Sequence, residues 1–132
     1  MSFSLAAGLS LAPMASVIAH AQAPVNRFAW GQCTWWAANV RPDVGAIEQG
    51  NASAWINWAQ RAQLKTGNAP QPGAIAVFQP GVQGAAWTGH VAHVLAVDPD
   101  GQHFTVDEMN FPIAGQVTQR LAVPGPGVDF IY

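Results

Sequence analysis

The residue pattern of this 132-residue chain changes from helical to strand-like about halfway along its length. From residue 72 onward, short runs rich in β-branched and aromatic residues alternate with Gly and Pro clusters, a pattern typical of strands joined by turns. The runs are residues 73–78, 90–97, 102–110, 116–123 and 128–132. Because helical segments precede the strands and do not alternate with them, the sequence predicts an α+β fold with N-terminal helices packed on a small antiparallel sheet.

The first helix is predicted within "RFAWGQCTWWAANVRPDVG", residues 27–45. It must end before Pro42, because proline disfavours helical geometry in the residue that precedes it. Cys33, the one cysteine of the chain, then lies in the first turn of this helix.

A second, amphipathic helix is predicted to follow, with Asn51 or Ser53 as its N-cap and Gly67 as its stop. Trp55 and Trp58 fall on one face of it. We expect most of the six tryptophans to fill the core between the helices and the sheet.

The first 21 residues contain no Asp, Glu, Lys or Arg and end in Ala19-His20-Ala21, a pattern that suits signal peptidase. We interpret residues 1–21 as an export signal and residues 22–132 as one domain, which implies a secreted or periplasmic protein without stable membrane insertion after cleavage. No basic residue follows Met1, and Pro13 interrupts the segment, so a retained anchor or a buried helix is the alternative.

Charged residues make up 9% of the chain, the net charge is −2, and the five basic residues are scattered. This distribution argues against nucleic-acid binding, which requires a basic patch. We expect a monomer.

A lone cysteine in an exported protein can be an inert buried thiol, one half of an intermolecular bridge or a reactive nucleophile. The side chains around Cys33 decide between these three roles, and the predicted strands supply candidate neighbours. The turn "VDPDGQ" predicts a three-residue hairpin loop that pairs Asp98 with Gln102. In that register His90 lies opposite Asn110.

Alternation along the two strands then places His90, Glu108 and Asn110 on one face of the hairpin and His93 on the other. The same face carries Phe104, so we expect it to turn toward the core. The sequence predicts an imidazole beside a carboxylate and an amide at the open end of this hairpin.

A thiol in the first turn of a helix, near an imidazole, has the environment that favours a thiolate nucleophile. A histidine can accept the thiol proton, and a third polar group can orient the ring. Cys33 and His90 supply the first two groups, and Glu108 or Asn110 supplies the third. Gln32 and the backbone N–H of Cys33 are candidate donors to an oxyanion.

Four motifs in order, "GQCTWWAA", "PQPGAIAVF", "GHVAHVLAV" and "VDEMNF", resemble the CHAP family of cysteine- and histidine-dependent amidohydrolases and peptidases, which have a papain-like fold. The resemblance implies Cys33 as nucleophile, His90 as base, Glu108 as the acid that orients His90, and Asn110 as a further polar member. It also implies a peptidoglycan or muropeptide substrate, cleaved at the N-acetylmuramoyl-L-alanine amide or within the peptides.

The chain departs from the family pattern at Ala74, where an aspartate is usual. Some family members bind calcium through acidic clusters. Here Asp98 and Asp100 suit the turn itself, so we expect no metal site and no cofactor.

Two other classes of function compete with this interpretation. A zinc hydrolase could use His90, His93, Glu108 and Cys33, but the two histidines face opposite sides of a strand. A wall-binding module without catalysis could use tryptophans as a sugar platform. Trp87, close to His90 in sequence, fits a groove wall and a core position equally well.

Overall fold

A computed structural model describes residues 25–132 of the chain. The predicted export signal, residues 1–21, lies outside these residues. No helix within residues 25–132 has the length and apolar character needed to cross a membrane.

Three short α-helices precede the strands: α1 (Cys33–Val40), α2 (Pro42–Gly45) and α3 (Trp55–Arg61). Six strands follow α2 and α3: β1 (Thr66–Gly67), β2 (Ile75–Phe78), β3 (His90–Val97), β4 (Phe104–Met109), β5 (Val117–Ala122) and β6 (Val128–Ile131). All pairings are antiparallel, in the order β1-β6-β2-β3-β4-β5. The α+β class with an antiparallel sheet is therefore confirmed, and the two-residue strand β1 was not predicted.

Both faces of the central strands are buried. On one face, Val77 and Val91 pack with Ala37 of α1 and Trp55 of α3. On the other face, buried residues from the five strands β2 to β6 and from two loop positions form a second cluster that contains Phe104. This double burial explains why β2 is apolar at every position, since neither face of it meets water.

The second helix differs from its prediction at both ends. A 3-10 turn, Ala52–Ala54, precedes α3, and neither Asn51 nor the following residues provide a side-chain cap. The helix ends at Arg61, and Gly67 lies in β1, where the ring of Tyr132 lies against its Cα. The short helix α2 begins with Pro42 at its first position, where proline is well tolerated.

The β3–β4 hairpin loop is one residue longer than predicted. The N–H of Asp98 donates to the carbonyl of His103 at 2.9 Å, so Asp98 does not pair with Gln102. A β-bulge at Leu95 then absorbs one residue of β3, and His93 pairs with Asp107 in the register that the sequence predicts. The longer loop and the bulge each shift the register by one residue, and the two shifts cancel before the strands reach His90.

Candidate active site

Helix α1 places Cys33 at its first position. Gln32 precedes it in an extended conformation (φ −92°, ψ 159°), which is the usual geometry of a helix N-cap. Two fully or nearly buried alanines, Ala37 and Ala38, allow α1 to pack closely on β3 and β4. The thiol therefore lies at a helix N-terminus directly against the strand that begins with His90.

His90 is 4% exposed and is held in place by the turn before it. Gly89 has φ +78°, and a Cβ atom there would lie 2.7 Å from the backbone nitrogen of Ser53. Only glycine fits this position, because it needs both the left-handed conformation and the close approach. The imidazole then packs at 5.0 Å from the ring of Phe111 and 6.1 Å from that of Phe78, measured between centroids.

The thiol and the imidazole shift each other's protonation. Burial opposes ionisation of Cys33, but the hydrogen bond to His90 and its charge outweigh burial and lower the thiol pKa. Burial likewise disfavours the imidazolium, yet the bonds to Cys33 and Glu108 raise the pKa of His90. Both shifts favour a thiolate–imidazolium pair over the neutral pair.

Glu108 is fully buried and lies 2.7 Å from Nε2 of His90, measured from its Oε1 atom. An ionised carboxylate can only accept, so His90 donates from Nε2, which leaves Nδ1 as the ring nitrogen that serves Cys33. The face shared by these two residues is the one that strand alternation predicts.

Arg120 completes this group, and the sequence analysis did not identify it. Its Nε donates to both oxygens of Glu108, at 2.8 and 3.1 Å, and its guanidinium lies over the rings of Phe111 (4.1 Å) and Phe78 (4.9 Å). A buried carboxylate is costly without a cationic partner, and Arg120 supplies that partner. Strand alternation does place Arg120 on an inward face of β5. The register between β4 and β5 could not be predicted, however, because residues 110–116 do not indicate a turn of defined length.

Asn110 does not contact the imidazole as its predicted position opposite His90 suggested. Strand β4 ends at Met109, and Asn110 adopts a left-handed conformation (φ 58°). Its Nδ2 donates to Oε1 of Gln32 at 2.9 Å. This bond leaves the Nε2 amide of Gln32 as a donor beside Cys33.

Two tryptophans near the site in sequence are strongly exposed. Trp87, three residues before His90, is 82% exposed, which rules out a core position. Trp30, three residues before Cys33, is 69% exposed, although we expected most tryptophans in the core. Trp55, in contrast, is fully buried as expected.

His93 belongs to a separate polar cluster on the opposite side of β3. It lies 3.1 Å from Asp107, which also accepts a hydrogen bond from the indole of Trp36 at 2.9 Å. His90 and His93 therefore do not converge, as strand geometry predicts.

Within residues 25–132, one cluster, Asp98, Asp100 and His103, brings three metal-ligating side chains together. It lies at the hairpin loop, separated from His90 by the length of β3, about 23 Å at the usual rise. Asp100 already accepts a bond from the N–H of Gln102 at 2.8 Å. One oxygen of Asp100 therefore stabilises the turn, and the cluster belongs to the hairpin loop and not to the site around Cys33 and His90.

Several known proteins are similar to this chain in sequence. Staphylococcal secretory antigen ssaA2 of Staphylococcus aureus is 39% identical over 111 residues, which cover 81% of this chain and 39% of that protein. N-acetylmuramoyl-L-alanine amidase sle1 of Staphylococcus haemolyticus is 33% identical over 102 residues, 75% of this chain and 29% of the amidase. The chain thus spans well under half the length of either relative.

A crystal structure of N-acetylmuramoyl-L-alanine amidase from Staphylococcus aureus superimposes with a TM-score of 0.68 at 29% identity, over 77% of this chain and 30% of that one. The family model described as the CHAP domain matches residues 23–110. Because this match spans most of the chain and contains Cys33, His90 and Glu108, the chain belongs to the CHAP domain family.

Proposed function

We propose that this protein is a cysteine-dependent hydrolase that cleaves an amide bond of peptidoglycan. The observation that carries the proposal is the arrangement of the half-buried Cys33 with the buried His90 and Glu108, in which the thiol pKa is lowered and the imidazole pKa is raised. Two of the similar proteins are named N-acetylmuramoyl-L-alanine amidases, which favours the bond between the muramoyl group and L-alanine over a bond within the peptides.

In the proposed reaction, the Cys33 thiolate attacks the amide carbonyl carbon and forms a tetrahedral intermediate. The backbone N–H of Cys33, free at the helix start, and Nε2 of Gln32 donate to the oxyanion. His90 gives its Nδ1 proton to the leaving amine, the C–N bond breaks, and a thioester remains on Cys33. Water then attacks the thioester, His90 takes a proton from that water, and the acid product leaves as the thiol is restored.

Glu108 does not react in this scheme. Its carboxylate fixes the imidazole with Nδ1 toward the thiol and stabilises the imidazolium. Arg120 acts one step further away as a positioning residue, because it neutralises and holds Glu108. Asn110 positions the Gln32 amide.

The name of the secretory antigen and the amidase names support an extracellular or cell-wall location for this protein. A second candidate function, glycan binding without hydrolysis, is favoured by the exposure of Trp30 and Trp87.

Digestion of purified peptidoglycan separates the two functions and identifies the bond. Mass spectrometry of the released fragments should show new amino termini with the unaltered protein and none with Cys33→Ala. An amidase releases peptides that begin with L-alanine, whereas an endopeptidase leaves L-alanine attached to the sugar. Equal hydrolysis by a folded Cys33→Ala variant would refute the cysteine mechanism.

A further inference from the structure

The ring of Trp30 is exposed to solvent but fixed in position. It packs edge-on against Trp35 of α1, with ring centroids 6.4 Å apart. Its other neighbour is Gly115, where a Cβ atom would lie only 2.7 Å from the indole ring. The N–H of Gly115 donates to the carbonyl of Gly31 at 2.9 Å, so the loop that supports the ring is tied to the residue next to it.

This support gives Trp30 the properties of a prepared binding surface. An aromatic ring that is already held in one orientation loses little conformational entropy when a ligand packs on it. Glycine at position 115 has φ +79°, and its lack of a side chain is what allows the indole to approach the loop backbone. Nothing in the core requires this packing, because 69% of the Trp30 surface faces solvent.

Trp30 lies close to Cys33, the proposed nucleophile. Three peptide units separate it from Cys33, so their Cα atoms lie within about 11 Å. Trp87 stands in the same relation to His90, so its Cα atom lies within about 11 Å of the Cα atom of His90. One exposed tryptophan is therefore close to the thiol, and the other is close to the imidazole.

We infer that Trp30 is the stacking platform for the muramoyl sugar ring of the substrate, an inference that rests on the proposed amidase function. In that bond the scissile carbonyl belongs to the lactyl group carried by the sugar. The thioester on Cys33 would keep the sugar tethered to Sγ by a few covalent bonds, whereas the leaving peptide departs past His90. The apolar C–H face of the sugar packs on the indole, and its hydroxyl and acetamido groups remain in water.

Trp87 takes the peptide side by the same reasoning, because His90 protonates the leaving amine. The two tryptophans then have separable effects. Loss of Trp30 weakens the binding of ligands that carry the sugar, and loss of Trp87 leaves unchanged the gain in affinity that the sugar provides.

The test uses the Cys33→Ala protein, in which ligands bind without being cleaved. The probes are N-acetylmuramoyl-L-alanyl-D-isoglutamine and the dipeptide L-alanyl-D-isoglutamine, which lacks the sugar. NMR titration should show the indole N–H signal of Trp30, assigned with Trp30→Phe, shifting with the first probe and not with the second. Trp30→Ala should weaken binding of the first probe about three- to tenfold, the scale of one aromatic contact.

Trp30→Phe, which keeps an aromatic face, should bind the sugar-bearing probe more tightly than Trp30→Ala does. Trp87→Ala removes another strongly exposed ring and should leave the ratio of the affinities for the two probes unchanged. Equal affinity of Trp30→Ala and its parent for the sugar-bearing probe would overturn the inference. Peptidoglycan hydrolysis is measured separately with Cys33 intact. If the protein hydrolyses peptidoglycan but Trp30→Ala binds the sugar-bearing probe normally, only this inference is refuted. If the unaltered protein shows no hydrolysis that depends on Cys33, the proposed function is refuted.

Discussion

Glu48 is a buried carboxyl group that the proposed mechanism does not use. It is 1% exposed, and within residues 25–132 neither of its oxygens has a hydrogen-bond partner. Burial raises the pKa of Glu48 from 4.5 to about 8. The folded protein therefore holds this proton at pH values where the unfolded chain has lost it.

The raised pKa makes folding weaken as the pH rises. Because the folded state binds more protons than the unfolded state between pH 4.5 and about 8, the free energy of unfolding falls across that interval. At about 1.4 kcal/mol for each pH unit, the cost is about 2 kcal/mol at pH 6 and about 4 kcal/mol at pH 8. The stabilisation that comes from protonated Glu48 is fully present below pH 4.5 and is lost as the pH rises toward about 8.

Glu48→Gln removes the titration and keeps the size and shape of the side chain. We expect urea unfolding to give similar free energies for the variant and the unaltered protein near pH 4.5, and a variant that is more stable by several kcal/mol at pH 8. The buried amide still lacks a partner, but that cost does not depend on pH.

Asp43→Asn is the control, because its carboxylate pairs with Arg41 at 2.8 Å and is largely exposed. The hydrogen bond from Arg41 lowers the pKa of Asp43, so it stays ionised across this range and its removal should leave the slope between pH 5 and 8 unchanged. A constant difference between Glu48→Gln and the unaltered protein across that range would refute the reasoning.

The remaining predictions concern the candidate site. His90→Ala should lower kcat/KM for peptidoglycan by at least about a hundredfold, whereas His93→Ala should act mainly on thermal stability; the reverse would show that the wrong histidine was assigned. Glu108→Gln should lower the imidazolium pKa and with it the rate of thiol alkylation by iodoacetamide near neutral pH, while Asn110→Ala should slow hydrolysis without moving that pH profile. Arg120→Met should shift the alkylation profile, because Glu108 then lacks its cationic partner, and Arg120→Lys should restore part of the native profile; an unchanged profile in Arg120→Met would mean that the arginine serves packing alone.

Local sequence patterns predicted the site residues whose placement follows from the helix or strand that carries them. Proline at position 42 bounded α1 and placed Cys33 at its start, and strand alternation put His90 and Glu108 on one face. The position of Cys33 needed only the bounds of one helix, whereas the shared face of His90 and Glu108 also needed the register of the hairpin.

The parts that sequence reasoning missed depend on contacts between distant segments. Arg120 reaches Glu108 only because β5 pairs with β4, and the connection between those strands carries no turn of defined length. We expected most of the tryptophans in the core, yet Trp30 is exposed and packs on the loop at Gly115. The hydrogen bond between Gly115 and Gly31 joins segments that are far apart in sequence, which no local pattern predicts.

The hairpin loop was wrong by one residue, yet the pairing at His93 was right. The turn signal identified the residues of the loop but not its length, and the bulge at Leu95 has no signature in the sequence. Correct pairing near His90 was therefore partly the result of compensation.

The position of Arg120 on β5 makes an edge strand of the sheet part of the proposed catalytic arrangement. An edge strand has a hydrogen-bonded neighbour on one side only, so it separates from the sheet at a lower free energy than the central strands. When β5 separates, Glu108 loses its cation, and we expect Cys33, His90 and the core between the helices and the sheet, which contains no residue of β5, to keep their packing. Mild denaturant should therefore abolish hydrolysis at concentrations where the tryptophan fluorescence of the core is still native.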